Sequence, residues 1–214
     1  MKSVELLPLF PLEAVLFPDS SLPLHIFEER YKLLVNECVR EESEFGINCI
    51  AQSRIAAVGC SARVTNIVRR FDDGCMDVII RGRRRFVLDR YEPARARYLV
   101  GYVRFFDHTD ESMDADLARE TILLYNAVVD LAYKSPTYRV SVEKIPERVS
   151  FVLAQKSGLQ LPQRQHLLEL SSENERLTML HRHLHELLPN LKEAEDIQRV
   201  IRCDGYLEST KEDR

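Results

Sequence analysis

The sequence predicts an α+β fold, with a strand-rich first half followed by a helical second half. Apolar residues alternate with a period of two from Phe45 to Phe106, and beyond Leu117 they recur at helical spacing. A polar run, DHTDES at residues 107–112, separates the two patterns. The expected organisation is a β-rich subdomain over 1–108, a helical bundle over 109–192 and a partly frayed C-terminal segment over 193–214.

The chain opens in short extended pieces. Residues 4–26 hold Pro8, Pro11, Pro18 and Pro23, and each fixes φ and lacks an amide donor, so only short strands and turns fit. Asp19-Ser20-Ser21 reads as a turn, because short polar side chains bond nearby backbone groups. A helix follows. Phe27, Tyr31, Leu34, Val35, Cys38 and Val39 share one face, and Glu28, Glu29, Arg30, Lys32 and Glu37 share the other. The acidic residues at its start suit the positive end of the helix dipole.

Strands come next. Phe45, Ile47, Cys49 and Ala51 alternate, as do Val58, Cys60, Ala62 and Val64, then Met76, Val78 and Ile80. Asp72-Asp73-Gly74 is a hairpin turn in which Gly74 takes positive φ at no steric cost. Gly82 is read as a bulge or bend between two strands, Met76–Arg81 and Arg85–Asp89. Tyr98, Val100 and Tyr102 begin a last strand that ends near Phe106. Several short strands at this spacing predict a compact barrel or sandwich.

In the second half, Leu117, Thr121, Leu124, Tyr125, Val128, Leu131 and Ala132 mark a long amphipathic helix. Pro146 is placed at the first position of another, closed by Ser157-Gly158. Pro162 opens a short helix to Leu170. Ser172 and Glu175 have capping-box spacing and start a helix bearing Leu177, Leu180, Leu184, Leu187 and Leu188, which Pro189 is expected to limit. The charged STKEDR end is expected to fray.

Bulk properties narrow the function. The 214 residues are 45% hydrophobic and 30% charged, with a net charge of -4. That balance is globular and argues against general affinity for phosphate backbones. Cys38, Cys49, Cys60, Cys75 and Cys203 include no closely spaced pair, so they read as reduced core thiols, neither zinc ligands nor disulfides. The proline-broken apolar N-terminus makes a poor signal peptide, and no stretch suits a bilayer. A cytoplasmic protein without membrane contact, metal or cofactor is expected.

Three constellations offer possible chemistry. His181, His183 and His185 cannot converge on one ion, since a helix turns by about 100° per residue and His183 falls on the opposite flank. The run Arg81-Gly82-Arg83-Arg84-Arg85 offers a nucleic-acid reading through Arg81, Arg83 and Arg84, set against outward-facing arginines on a bent strand. Acyl transfer needs a nucleophile beside a base, as in GxSxG. His25, Cys60 and the Asp72-Asp73 pair are more simply strand and turn residues. An unrecognised hydrolase is the remaining alternative, since folds host many chemistries.

The run LLPLFPLEAVLFPDSSLPLHIFEERYKLLV resembles the opening of the Lon protease amino-terminal domain. Leu9, Phe10, Pro11, Leu12, Phe17, Pro18, Pro23, Leu24, Phe27, Glu28, Arg30 and Tyr31 stand at matching places. Val58-Gly59, Asp73-Gly74, Gly82 with Arg85-Phe86, and Leu161, Gln165, Leu168, Glu169, Arg176 and Leu177 continue it. The likeness spans about residues 5–190 of the chain. It implies a PUA-like, mostly antiparallel β half, then a helical bundle, acting as a stand-alone module that engages unfolded polypeptide or a partner protein. The chain lacks a GxxxxGK[ST] loop and stops where the ATPase and protease domains would begin, so those activities are not carried over. Phe17, Phe27, Tyr31, Met76, Tyr102, Phe105 and Phe106 are the candidate polypeptide-binding residues, with a groove between barrel and bundle as the favoured place. Nucleic acid is not the expected partner, and the chain is expected to be a monomer or weak homodimer.

Overall fold

A computed structural model describes residues 3–94, 98–109 and 111–206, and the backbone alone at 94 and 202–206. The chain divides into two compact units, Met1–Asp110 with Leu159–Ser172, and Glu111–Gly158 with Glu173–Arg214.

The first unit contains six strands, β1 (Glu5–Leu12), β2 (Ser21–Ile26), β3 (Phe45–Ala51), β4 (Arg54–Arg70), β5 (Met76–Ala94) and β6 (Tyr98–Phe106), with helices α1 (Glu29–Arg40) and α4 (Leu161–Glu169). Their order is β2-β5-β4-β3-β1-β6, and β5 also pairs with β6. β5, β4, β3, β1 and β6 therefore close a ring, with β2 outside it on β5. Every pairing is antiparallel except β1 with β3. The α+β class and the mostly antiparallel barrel with one early helix are as expected.

Alternation fills the ring. Phe10, Ile26, Phe45, Ile47, Cys60, Ala62, Met76, Val78 and Ile80 point inward and meet Tyr31, Leu34, Val35 and Cys38 of α1 in one core cluster. Phe10 and Tyr31 stack with ring centroids 3.8 Å apart. Leu7, Leu9, Phe86 and Val103 form a second cluster. The turn at Asp19 has φ 61°, and the Ser20 hydroxyl donates to the Phe17 carbonyl at 2.7 Å. At the hairpin tip Gly74 has φ 81°, and its amide donates to the Phe71 carbonyl at 3.0 Å.

The stretch read as two strands flanking Gly82 is one strand of 19 residues. Its first part lies between β2 and β4, and its second part pairs with β6. Gly82 sits at the change of partner. Its amide donates to the Ser20 carbonyl at 2.9 Å, and its carbonyl accepts from the Asp19 amide at 3.0 Å. The backbone crosses from one neighbour to the next without breaking.

Helix α4 falls in the first unit, although the sequence pattern groups it with the bundle. Gln165 donates to the Val58 carbonyl at 3.1 Å. The fully enclosed guanidinium of Arg85 donates to the carbonyls of Leu168 at 2.9 Å and Leu170 at 2.6 Å. Those carbonyls end a helix and need donors.

The second unit holds α2 (Ala115–Tyr133), α3 (Val149–Ala154) and α5 (Glu173–Tyr206). The Asp114 carboxylate caps α2 by accepting from the amides of Asp116 at 3.1 Å and Leu117 at 3.0 Å. Ile122, Tyr125, Val129, Phe151, Leu153, Leu177, Leu180 and Leu184 are buried. Helix α3 begins at Val149, three residues after the proline proposed to open it. The reason is its cap: the Glu173 carboxylate accepts from the Ser150 amide and hydroxyl, each at 2.8 Å. Arg176, also enclosed, pairs with the same carboxylate at 2.5 Å.

Helix α5 runs 34 residues, straight through the proline expected to limit it. Pro189 is exposed, and beyond it Ile197, Val200 and Ile201 are exposed as well. The STKEDR end lies outside the described residues.

Candidate functional site: an open strand edge beside an apolar cleft

Seventeen residues of β4 face only seven of β3. The β3 pairing stops at Phe45 opposite Ala62, while β4 continues beside β5 to Arg70 opposite Met76. From Arg63 to Arg70 the other edge of β4 therefore has no strand against it among the described residues. Backbone N–H and C=O groups on such an edge are a template for another extended chain.

A cleft of about 310 Å³ lies along this edge, lined by Cys38, Val39 and Glu42 of the α1 end and by Arg63, Val64, Thr65, Asn66 and Ile67. Successive strand side chains alternate between faces. A cavity touched by five consecutive residues must therefore run along the strand's border. Cys38, Val39, Val64 and Ile67 make the cleft's apolar part and belong to or pack on the barrel core. Glu42, Arg63, Thr65 and Asn66 form its polar rim. Burial pushes the Cys38 thiol up from its ordinary value, so it acts as a neutral wall.

The arginines of this segment meet neutral partners. Arg63 donates to the Glu42 carbonyl, Arg70 donates to the Asn36 side-chain oxygen at 3.0 Å, and Arg69 lies 4.4 Å from the Phe71 ring centroid. On the outer sheet surface His25 bonds to Asp77 at 2.6 Å and stacks near the exposed Phe27, with centroids 6.1 Å apart.

The aromatic residues proposed from sequence do not gather in one place. Phe17 and Met76 are fully enclosed and Tyr31 is 8% exposed, so all three serve packing; Phe27 is 62% exposed. Tyr102, Phe105 and Phe106 are half-buried on β6. Arg90 covers Tyr102, Arg84 covers Phe105 and Arg85 covers Phe106, at 3.7, 3.6 and 4.4 Å from the ring centroids.

Arg81, Arg83 and Arg84 are exposed but face acids. Arg81 lies 3.6 Å from Asp19, and Arg83 and Arg84 lie 3.9 and 3.6 Å from Glu44. Arg85 points inward, unlike the outward alternation expected of the run.

The three histidines of α5 diverge. His183 bonds to the Ser157 carbonyl at 2.8 Å, whereas His181 and His185 stack on each other at 6.4 Å. Among the described residues no three His, Cys, Asp or Glu side chains are grouped to hold a metal. Cys38, Cys49 and Cys60 are buried, Cys75 is partly so, and all four are free thiols; the Cys203 side chain lies outside the description. Among the described residues no helix is long and apolar enough to cross a membrane.

Residues 6–186 match the model of the ATP-dependent protease La (LON) substrate-binding domain. The chain is 25% identical over 189 residues to Lon protease 3 of Sorangium cellulosum (strain So ce56), covering 82% of this chain and 23% of that protein. It therefore spans about a quarter of that relative's length. Among solved structures, the Lon N-terminal domain protein from Xanthomonas campestris is similar with a TM-score of 0.66 and 29% identity, over 82% of this chain and 96% of that one. The N-terminal domain of Mycobacterium avium complex Lon protease shares the fold with a TM-score of 0.65 and 18% identity, over 85% of this chain and 98% of that one. Since the family match takes in both the opening proline-rich strands and the first half of α5, this chain belongs to the Lon substrate-binding domain family.

Proposed function

We propose that the chain is a non-catalytic binding module that recognises exposed apolar or unfolded stretches of polypeptide, free or within a partner protein. The observation that carries this reading is the open β4 edge lying against an apolar-walled cleft. An extended segment laid on that edge satisfies its backbone pairs whatever its side chains, and the cleft accepts one apolar side chain from it. Such a site binds weakly and tolerates many sequences. Membership of a substrate-binding family supports the same reading.

The nucleic-acid alternative draws less support. The carboxylates beside Arg81, Arg83 and Arg84 offset the charge a phosphate would need.

Isothermal titration with a reduced, permanently unfolded model protein tests the proposal. The expected result is saturable weak binding that the folded form of the same protein does not show. Absence of both heat and complex would overturn it.

A further inference from the structure

The charges along the open β4 edge say what kind of segment it prefers. Arg63, Arg69 and Arg70 bond to a carbonyl, an aromatic ring and an amide oxygen. No carboxylate among the described residues lies within ion-pair distance of any of them. Most exposed arginines elsewhere among the described residues are paired, with Arg54, Arg90 and Arg182 as the exceptions. Arg30 meets Glu28, Arg40 meets Glu41, Arg104 meets Asp89, Arg119 meets Asp116, and Arg199 meets Asp196. In a chain of net charge -4, this edge gathers three guanidinium groups with no contact ion pair, the nearest acids by position being Glu42 on the rim and Asp77 opposite Arg69.

Lysines and arginines on an edge strand also deter unwanted pairing between copies. That role alone needs no cavity. Here the arginines bracket one: Arg63 stands on the cleft's rim, and Arg69 and Arg70 lie just past its Ile67 boundary.

We propose that the β4 edge captures extended polypeptide segments in which an apolar residue is flanked by aspartate or glutamate, the apolar side chain filling the cleft and the acids meeting Arg63 on one side and Arg69 and Arg70 on the other. This rests on the polypeptide-binding reading above and adds to it a place and a charge preference. Backbone pairing supplies sequence tolerance. The arginines steer encounter and reject basic segments, since like charges brought together cost affinity. A nucleic acid would use the same charge but has no backbone that can extend a β-sheet.

The test uses short fluorescein-labelled peptides with one central leucine, flanked by aspartates in one and by lysines in the other. Anisotropy should show the acidic peptide binding more tightly, by about tenfold or more, with affinity falling as salt rises. Amide hydrogen exchange should show new protection confined to Val64–Arg70. Combined Arg63→Gln, Arg69→Gln and Arg70→Gln substitution should erase the preference without unfolding the exposed edge, which circular dichroism checks. Val39→Phe, which fills the cleft from α1, should weaken both peptides.

If unfolded protein and both peptides bind equally, with protection elsewhere, this inference falls and the general function stands. If neither unfolded protein nor peptide binds, both fall. A salt-sensitive complex with short RNA that the glutamine variant loses, without peptide binding, would overturn both in favour of nucleic acid.

Discussion

A Cβ placed on Gly82 would lie 2.1 Å from the Phe17 carbonyl oxygen, on the side where the β1–β2 connection bonds to β5. The obstacle is backbone, so it cannot rotate away. Gly82→Ala should cost roughly 3 kcal/mol or more through forced displacement, seen as a lowered urea midpoint with an unchanged slope. The irregularity at this residue was legible, because glycine inside an alternating run marks a bulge or close approach, and the β4–β5 register shifts beside it. The arginines after it were not. Arg83, Arg84 and Arg85 look alike in a sequence, but Arg85 alone finds helix-end carbonyls, and those come from about eighty residues further along. Aromatic residues misled for a related reason. Ring size flags a capacity for burial, and the fold uses Phe17 and Tyr31 for that.

Periodicity placed the strands and helices of both units, because a buried face imposes its period on the sequence. It missed features set by partners instead of faces. β5 reads as two strands since its inward residues pause at Gly82, yet its backbone only exchanges β2 for β6. The open part of β4 was missed because it depends on β3 being short, and a lone strand's pattern carries no record of its neighbour's length. A comparison of the Phe45–Ala51 run with the longer alternation before the Asp72–Gly74 turn would have revealed it. Proline was over-read in α5. It removes one amide donor and normally costs about 3 kcal/mol inside a helix, but the flanking turns and the Leu177–Leu184 packing carry the helix on. Pro189→Ala should therefore raise stability by about 1–3 kcal/mol, with slower amide exchange from residue 189 onward as the readout.

For the molecule as a whole, buried acids of high pKa set an alkaline limit. Burial pushes the Cys60 thiol from 9.0 up to about 12. Burial, with the Glu37 carboxylate beside it, raises the Tyr98 hydroxyl to about 12, and burial does the same for Tyr125. A raised folded value means the unfolded chain releases these protons first. Between pH 7 and about 8.5 these groups leave stability unchanged, and from there towards 12 it should fall, with Cys60 contributing about 1.4 kcal/mol per pH unit above 9. Urea midpoints between pH 7 and 11 check the sign, and Cys60→Ala should flatten the first part of the decline. At this scale the family and fold were readable from the proline-rich opening run. The site was not, since it exists only once β3, β4 and α1 are assembled.

The contribution of α4 to the barrel has a practical corollary for anyone who would shorten this protein. A fragment ending at the polar run would keep Arg85 and its contacts to the Asp107 carbonyl and the His108 ring, but would lose the carbonyls of Leu168 and Leu170 and open the apolar surface beneath α4 to water. That piece should be insoluble when expressed alone. Splicing 159–172 back after residue 109 through a glycine-serine tether should restore a soluble barrel with dispersed amide resonances, whereas a fragment that is soluble and folded without 159–172 would show that the clasp is dispensable.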